Sequence, residues 1–283
     1  MFHTEIFSSS IPNSGAGNIQ QLNYFTAQSY LTPQQNGVQV ALELPNIMFA
    51  AGVGAHLCNV RLQANSMLPL PYISLAPNNR GGAFESPPRC WDFSGQPIPL
   101  IPTEEQDVFV SQNSGGAETE YVLVSWCSGP PTPIPVNTNV SRVANLISPV
   151  GRYIAARFTT VATTTAGAWS NLQPVFDQNL LAGFYAVVGA RVLSTTGLFF
   201  RLQFTVSSPF RPGGICVQSY DQMDPPNQRY MDSFGLPQIG WGTWATFYQN
   251  VPPVVQIFTT GADTNPEGEL DLIYLGGQVT QGL

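Results

Sequence analysis

Residues 198–206 read LFFRLQFTV, and residues 57–64 read LCNVRLQA. In both, Arg-Leu-Gln sits inside alternating apolar and polar residues, the period of a β-strand with one face toward a core. Past a Pro-bearing gap each is followed by Gly-Gly, at Gly81-Gly82 and at Gly213-Gly214. Three letters carry no weight alone, but the order of the segments after them does. Each half runs on through an irregular stretch containing Trp to a closing segment, DVFVSQNSGGAETEYVLVSW at 107–126 and VVQIFTTGADTNPEGELDLIYL at 254–275. Both segments read as hairpins with acidic residues opening the return strand, so that Glu118 and Glu120 match Glu269 and Asp271. Any two β domains share alternation and Gly turns. Three features in one order, offset by about 140 residues throughout, favour an internal duplication.

Strand signals fall near 3–7, 38–44, 55–64, 71–75, 106–112 and 119–126, and again near 152–160, 184–193, 197–206, 214–220, 244–249, 253–260 and 269–275. Helical periodicity is scarce, and only short segments such as FDQNLL at 176–181 could make a turn or two. Between the halves lies GPPTPIPVNTN, 129–139, whose four prolines remove amide donors and bar it from a sheet interior. The reading is an all-β chain: an amino-terminal arm at 1–20, a first barrel at 21–128, a Pro-rich linker at 129–140 and a second barrel at 141–283. Two tandem antiparallel jelly-roll sandwiches, with few short helices, accommodate the long stretches 76–104 and 221–243 as insertions between strands.

Composition narrows the function. The 283 residues are 43% hydrophobic and only 10% charged, against about 25% charged for an average soluble protein. All ten basic residues are Arg, so P-loop, Schiff-base and general-base lysines are excluded. Lys is also the usual guard of exposed strand edges, and its absence means edges covered either within the chain or by neighbouring chains, with the low charge favouring neighbours. A net charge of −7 without a basic cluster argues against direct nucleic-acid binding. The opening MFHTEIFSSS lacks the basic start and apolar core of a secretory signal, and no apolar run is long enough to span a bilayer as a helix.

Few residues invite catalysis. Glu104, Glu105 and Asp107 could supply the paired carboxylates of a glycosidase, but they follow a Pro-rich loop and read as a solvated turn. Asp221 and Asp224 in SYDQMDPPNQ form a weak calcium candidate whose spacing fits no known loop. Only His3 and His56 could serve a nucleophile; His56 lies two residues before Cys58, which in a strand puts both on one side. Cys58, Cys90, Cys127 and Cys216 have no metal-ligand spacing and read as free thiols. GWGTW at 240–244 is either a sugar-stacking platform, through Trp241 and Trp244, or an anchor for a long loop or neighbouring subunit. Asn139-Val140-Ser141 fits the glycosylation pattern, and the RGG and RPGG segments read as turns. No enzyme activity and no cofactor are expected.

These residues together resemble a known family. A duplicated, Lys-free β chain of this size looks like a double jelly-roll major capsid protein of icosahedral viruses with an internal membrane. SIPNSGAGN at 10–18 is similar to the amino-terminal arm of corticovirus-type coat proteins, and AGFYAVVGARVLSTTGLFFRLQF at 182–204, the SPFRPGG after it and the closing segment resemble finnlakevirus-like coat proteins. The resemblance implies upright barrels, homotrimers of pseudo-sixfold outline tiling a capsid lattice, and a separate vertex (penton) protein. It implies synthesis in the host cytoplasm, a virion location, and an arm lying by the membrane, by membrane-associated virion proteins or against a neighbouring subunit. Ile11, Pro12, Asn13, Trp241 and Trp244 are then the expected assembly contacts. The arm departs from what an anionic bilayer favours, since no basic residue precedes Arg61. Two rivals stand beside this reading: a carbohydrate-binding spike or fibre using Trp241 and Trp244, and a secreted β-sandwich enzyme or adhesin with disulfides.

Overall fold

The structure is a computed structural model that describes residues 2–12, 19–24, 31–33, 37–54, 56–67, 72–75, 78–79, 91–93, 97–128, 152–204, 211–216 and 245–276. The chain divides into two compact units, Met1–Gly129 and Pro130–Leu283. Among the described residues each unit holds eight principal strands. In the first these are β1 (Phe2–Ile11), β2 (Val38–Gln39), β3 (Asn46–Gly54), β4 (Leu57–Ala64), β5 (Tyr72–Leu75), β6 (Ile98–Pro99), β7 (Glu105–Gln112) and β8 (Glu118–Cys127). In the second they are β9 (Arg152–Thr160), β10 (Trp169–Leu172), β11 (Phe184–Leu193), β12 (Gly197–Gln203), β13 (Gly213–Ile215), β14 (Ala245–Tyr248), β15 (Val254–Thr259) and β16 (Glu267–Gly276).

The wiring is the same in both. One sheet of the first unit runs β1-β8-β3-β6 and the other β2-β7-β4-β5; the second unit repeats this as β9-β16-β11-β14 and β10-β15-β12-β13. That order, antiparallel throughout these strands, is the jelly roll. The chain is therefore all-β, built as two tandem jelly rolls. Short pieces extend the sheets: Asn23–Tyr24 on β1, Gln20–Gln21 on β7, Thr32–Pro33 on β2, Pro174–Phe176 on β9 and, in parallel, Asn78–Asn79 on β3.

Alternation explains the sandwich. In β7 Gln106, Val108 and Val110 are buried while Glu105, Asp107 and Phe109 face outward; β4 buries Val60, Leu62 and Ala64 in the same way. These meet Phe7, Val122, Val124 and Trp126 from the opposing sheet in one apolar core. Trp126 packs 6.3 Å from Phe7, ring centre to ring centre, and its Nε1 donates to Gln106 Oε1 at 2.6 Å, which gives the buried indole its one necessary partner.

Four sequence expectations are corrected. The closing segments are not hairpins, because β7 and β8 lie in opposite sheets, as do β15 and β16. Their turns carry the chain across the sandwich rather than back along one sheet. Residues 2–11 are not part of an arm: β1 pairs along its whole length with β8, Phe2 opposite Cys127 and Ile11 opposite Glu118, and its side chains from His3 to Phe7 are buried. The strand expected at 38–44 stops at Gln39, and the chain turns with Leu44 N donating to Ala41 O at 3.1 Å, ahead of Pro45. FDQNLL makes no helical turn; Phe176 ends the strand Pro174–Phe176, and no helix occurs among the described residues.

Candidate functional site

Among the residues considered for chemistry, Glu104 holds turns together. Glu104 accepts from Ser66 Oγ, from Ser66 N at 3.0 Å and from Ile101 N at 2.6 Å, which ties the β4–β5 connection to the β6–β7 connection. Asp107 accepts from Gln21 Nε2 at 2.8 Å; burial first, then the charge of Glu105, raises its pKa, and the amide opposes this. His56 precedes β4 in a bend, so it does not share a strand face with Cys58. Its Nδ1 lies 2.7 Å from Glu118 Oε1, while Cys58 Sγ reaches only the His56 carbonyl, at 3.4 Å. His3 is fully buried against Glu5, 2.9 Å away. Cys58 is half-buried, and Cys127 and Cys216 are buried; Cys90 lies outside the described residues, as do Asp221, Asp224, Trp241, Trp244, Asn13 and Asn139.

Of the expected assembly contacts, Ile11 is in the core, 2% exposed, so it offers nothing to a neighbour. Its strand position opposite Glu118 turns it inward. Pro12 is exposed, and its carbonyl accepts from Gln112 Nε2 at 3.0 Å.

Arg61 and Arg201 occupy matching places on β4 and β12. Arg61 stands between Phe109 of β7 and Ser74 of β5; Arg201 stands between Gln256 of β15 and Gly213 of β13. Their surroundings differ. Arg61 is half-buried with its guanidinium 4.0 Å from the Tyr72 ring centre. Arg201 is fully buried, 4.2 Å from the Trp169 ring centre, and its Nε donates to Gln256 Oε1 at 2.6 Å. Gln256 in turn donates to Asn171 Oδ1 at 2.6 Å, a cross-strand ladder over three strands.

The acidic pairs lie on matching strands but opposite faces. Glu120 shares the inner face of β8 with Val122 and Val124. On β16 the core residues are Leu270 and Leu272, and Glu269 and Asp271 point outward to Arg191, whose Nη2 is 3.3 Å from Asp271 Oδ2, with Arg157 Nε 3.8 Å from Glu269. A shift of one residue in strand phase exchanges the two faces.

A feature that sequence reading missed is repeated in both units. Leu42 and Ile101 are 70% and 60% exposed, on the β2–β3 and β6–β7 connections of the first barrel. Leu181 and Val251 are 57% and 62% exposed, on the corresponding connections leading into β11 and β15 of the second. The paired turns are pinned by backbone bonds: Val40 N to Glu104 O and Thr103 N to Val40 O, both at 2.9 Å, and Gln249 N to Gly183 O at 3.0 Å. Val161, Val175 and Tyr248 are the other large exposed apolar side chains among the described residues. Single apolar residues in turns give no sequence signal; only the matched position in two barrels sets these apart.

No protein-family model matches the chain, and no curated protein does. Two solved structures are similar to it: the STIV MCP, and the major capsid protein P2 from bacteriophage PM2. Each is 10% identical over 100% of both chains, with a TM-score of 0.25. Likeness at that level leaves the fold assignment resting on strand order within each unit.

Proposed function

We propose that the chain is a structural virion protein, the major capsid protein of an icosahedral shell built over a lipid membrane, assembling through homotrimers of pseudo-hexagonal outline. The observation that carries this reading is the duplication: two identically wired barrels, each presenting an exposed aliphatic pair on the same two connections. Three such chains supply six near-equivalent barrels, the number a hexagonal tile requires. Low charge and the absence of Lys suit surfaces that neighbours cover. A separate protein fills the vertices in this reading, the chain is made in the host cytoplasm, and the membrane is met through polar contacts or through other virion proteins. The carbohydrate reading rests on Trp241 and Trp244, which fall outside the described residues.

Size-exclusion chromatography with light scattering tests it, followed by negative-stain images of the main peak. A species of about three 30.6 kDa chains with a hexagonal outline is expected. A folded monomer at high concentration overturns it. Leu42→Asp combined with Leu181→Asp is expected to leave each barrel folded and weaken assembly.

A further inference from the structure

Glu120 has an unusual place for a carboxylate. It lies on the inner face of β8, fully buried, opposite Ser9 of β1. Neither carboxyl oxygen has a hydrogen-bond partner among the described residues. On the adjoining β3, Gly54 leaves the space it occupies: a Cβ at Gly54 would collide with the Glu120 carboxyl and touch Leu57. An ionised carboxylate so placed pays a desolvation cost that a neutral acid largely avoids.

The groups around it are few. Glu118 is the next inward position toward the barrel mouth and is held by His56, 2.7 Å away and half exposed. Ser9 and Ile11 of β1, Gly54 of β3 and Leu57 of β4 bring no charge. Glu5, the inward acid of β1, sits opposite Val124, four residues deeper, beside His3. Tyr121, adjacent on β8, is raised in pKa by its own burial and by Glu120. Burial, then Glu118, pushes the Glu120 carboxyl up to about 7, with His56 opposing. Above this acid the two connections at the mouth of the barrel are joined by a backbone bond, Asn113 N to His56 O at 3.0 Å.

We propose that Glu120 is a proton-controlled latch: as the neutral acid it completes the closed mouth of the first barrel, and as the carboxylate it loosens the His56 turn from the 113–117 connection. Among its described residues the second barrel carries no such element. There the corresponding mouth is closed by Thr260 N to Thr196 O at 2.9 Å, and Asp263 accepts from Thr195 N at 3.1 Å and from Ser194 Oγ. The latch is independent of what the chain assembles into.

The test is amide hydrogen exchange on the full chain between about pH 5 and about pH 9, corrected for intrinsic rates, with infrared spectra across the same range. Wild type is expected to lose protection at 56–57 and 113–118 as pH rises through 7, while 194–197 and 260–266 keep theirs, and a protonated-carboxyl band is expected to vanish in step. Glu120→Gln removes both changes. Should that variant misfold, the wild-type spectra still decide: with no carboxyl band titrating near neutrality, or with protection at both mouths equally indifferent to pH, the latch is wrong.

Discussion

The Arg201 guanidinium lies 4.2 Å from the centre of the Trp169 ring, fully buried, and Arg61 at the matching strand position covers Tyr72 at 4.0 Å while half exposed. One position thus carries one kind of contact at two burial levels. Truncation should separate them. Arg201→Ala removes a buried stack and a charge-assisted bond to Gln256 and should cost about 3 kcal/mol, whereas Arg61→Ala should cost under about 1 kcal/mol. Arg201→Lys should recover little, because an ammonium cannot reproduce the planar fork. Urea unfolding followed by tryptophan fluorescence and by circular dichroism checks this, with the two barrels fitted as separate transitions.

Trp126 ties the core to the opposite sheet through Gln106. Trp126→Phe keeps an aromatic body against Phe7 but strands the Gln106 side-chain oxygen and leaves space where the larger ring was. A loss of about 2 kcal/mol in the first barrel is expected, with the second barrel's transition unmoved.

Arg191 stands between two acids on the outer face of the second barrel. Burial, then Asp271, already raises the Glu269 pKa, and Arg191 and Arg157 hold it down. Arg191→Leu therefore raises it further while the unfolded chain keeps its ordinary carboxylate value. The folded state then binds protons that the unfolded state releases, so stability falls as pH rises toward and through the raised pKa and is regained as pH falls toward the ordinary value. A deficit of about 3 kcal/mol above neutrality, shrinking in acid, is expected from melting temperatures across pH.

Gly268 on β16 has no room for a side chain. A Cβ there would strike the carbonyl of Arg191 and the ring edge of Phe158, the first of which belongs to a paired strand and cannot swing away. Gly268→Ala should cost about 2 kcal/mol or more, and Phe158→Leu in the same chain should recover only the part due to the ring. The double-mutant cycle measures that part.

Much of the fold was legible in the sequence because it rests on period two. The alternation around Arg61 set β4, and the run through Arg201 lies on the matching β12. What alternation could not show is phase between distant strands, so Glu120 and Glu269 were matched although one points into a core and the other out of it. Nor could it show β3, NIMFAAGVG, whose residues from Ile47 on are buried on both faces and so do not alternate. The closing segments misled for a related reason. A Gly-rich turn between two apolar strands looks alike whether it bends within one sheet or crosses between two, and the choice is made by β3 and β1, which claim β8 from either side. Leu42, Ile101, Leu181 and Val251 carry no periodicity at all.

The place of β8 between β1 and β3 sets a timetable for synthesis. The first strand of the chain is made long before the one that completes its sheet: Phe2 waits for Cys127, and Arg152 on β9 waits for Tyr274. At roughly 5 to 20 residues per second, each early strand spends on the order of ten seconds with its principal partner unmade. During that interval a Lys-free chain presents open edges to every other nascent copy on the same message. Slow translation should therefore lower the yield of soluble protein more than raised temperature does, and holdase chaperones should bind before residue 118 leaves the ribosome rather than after.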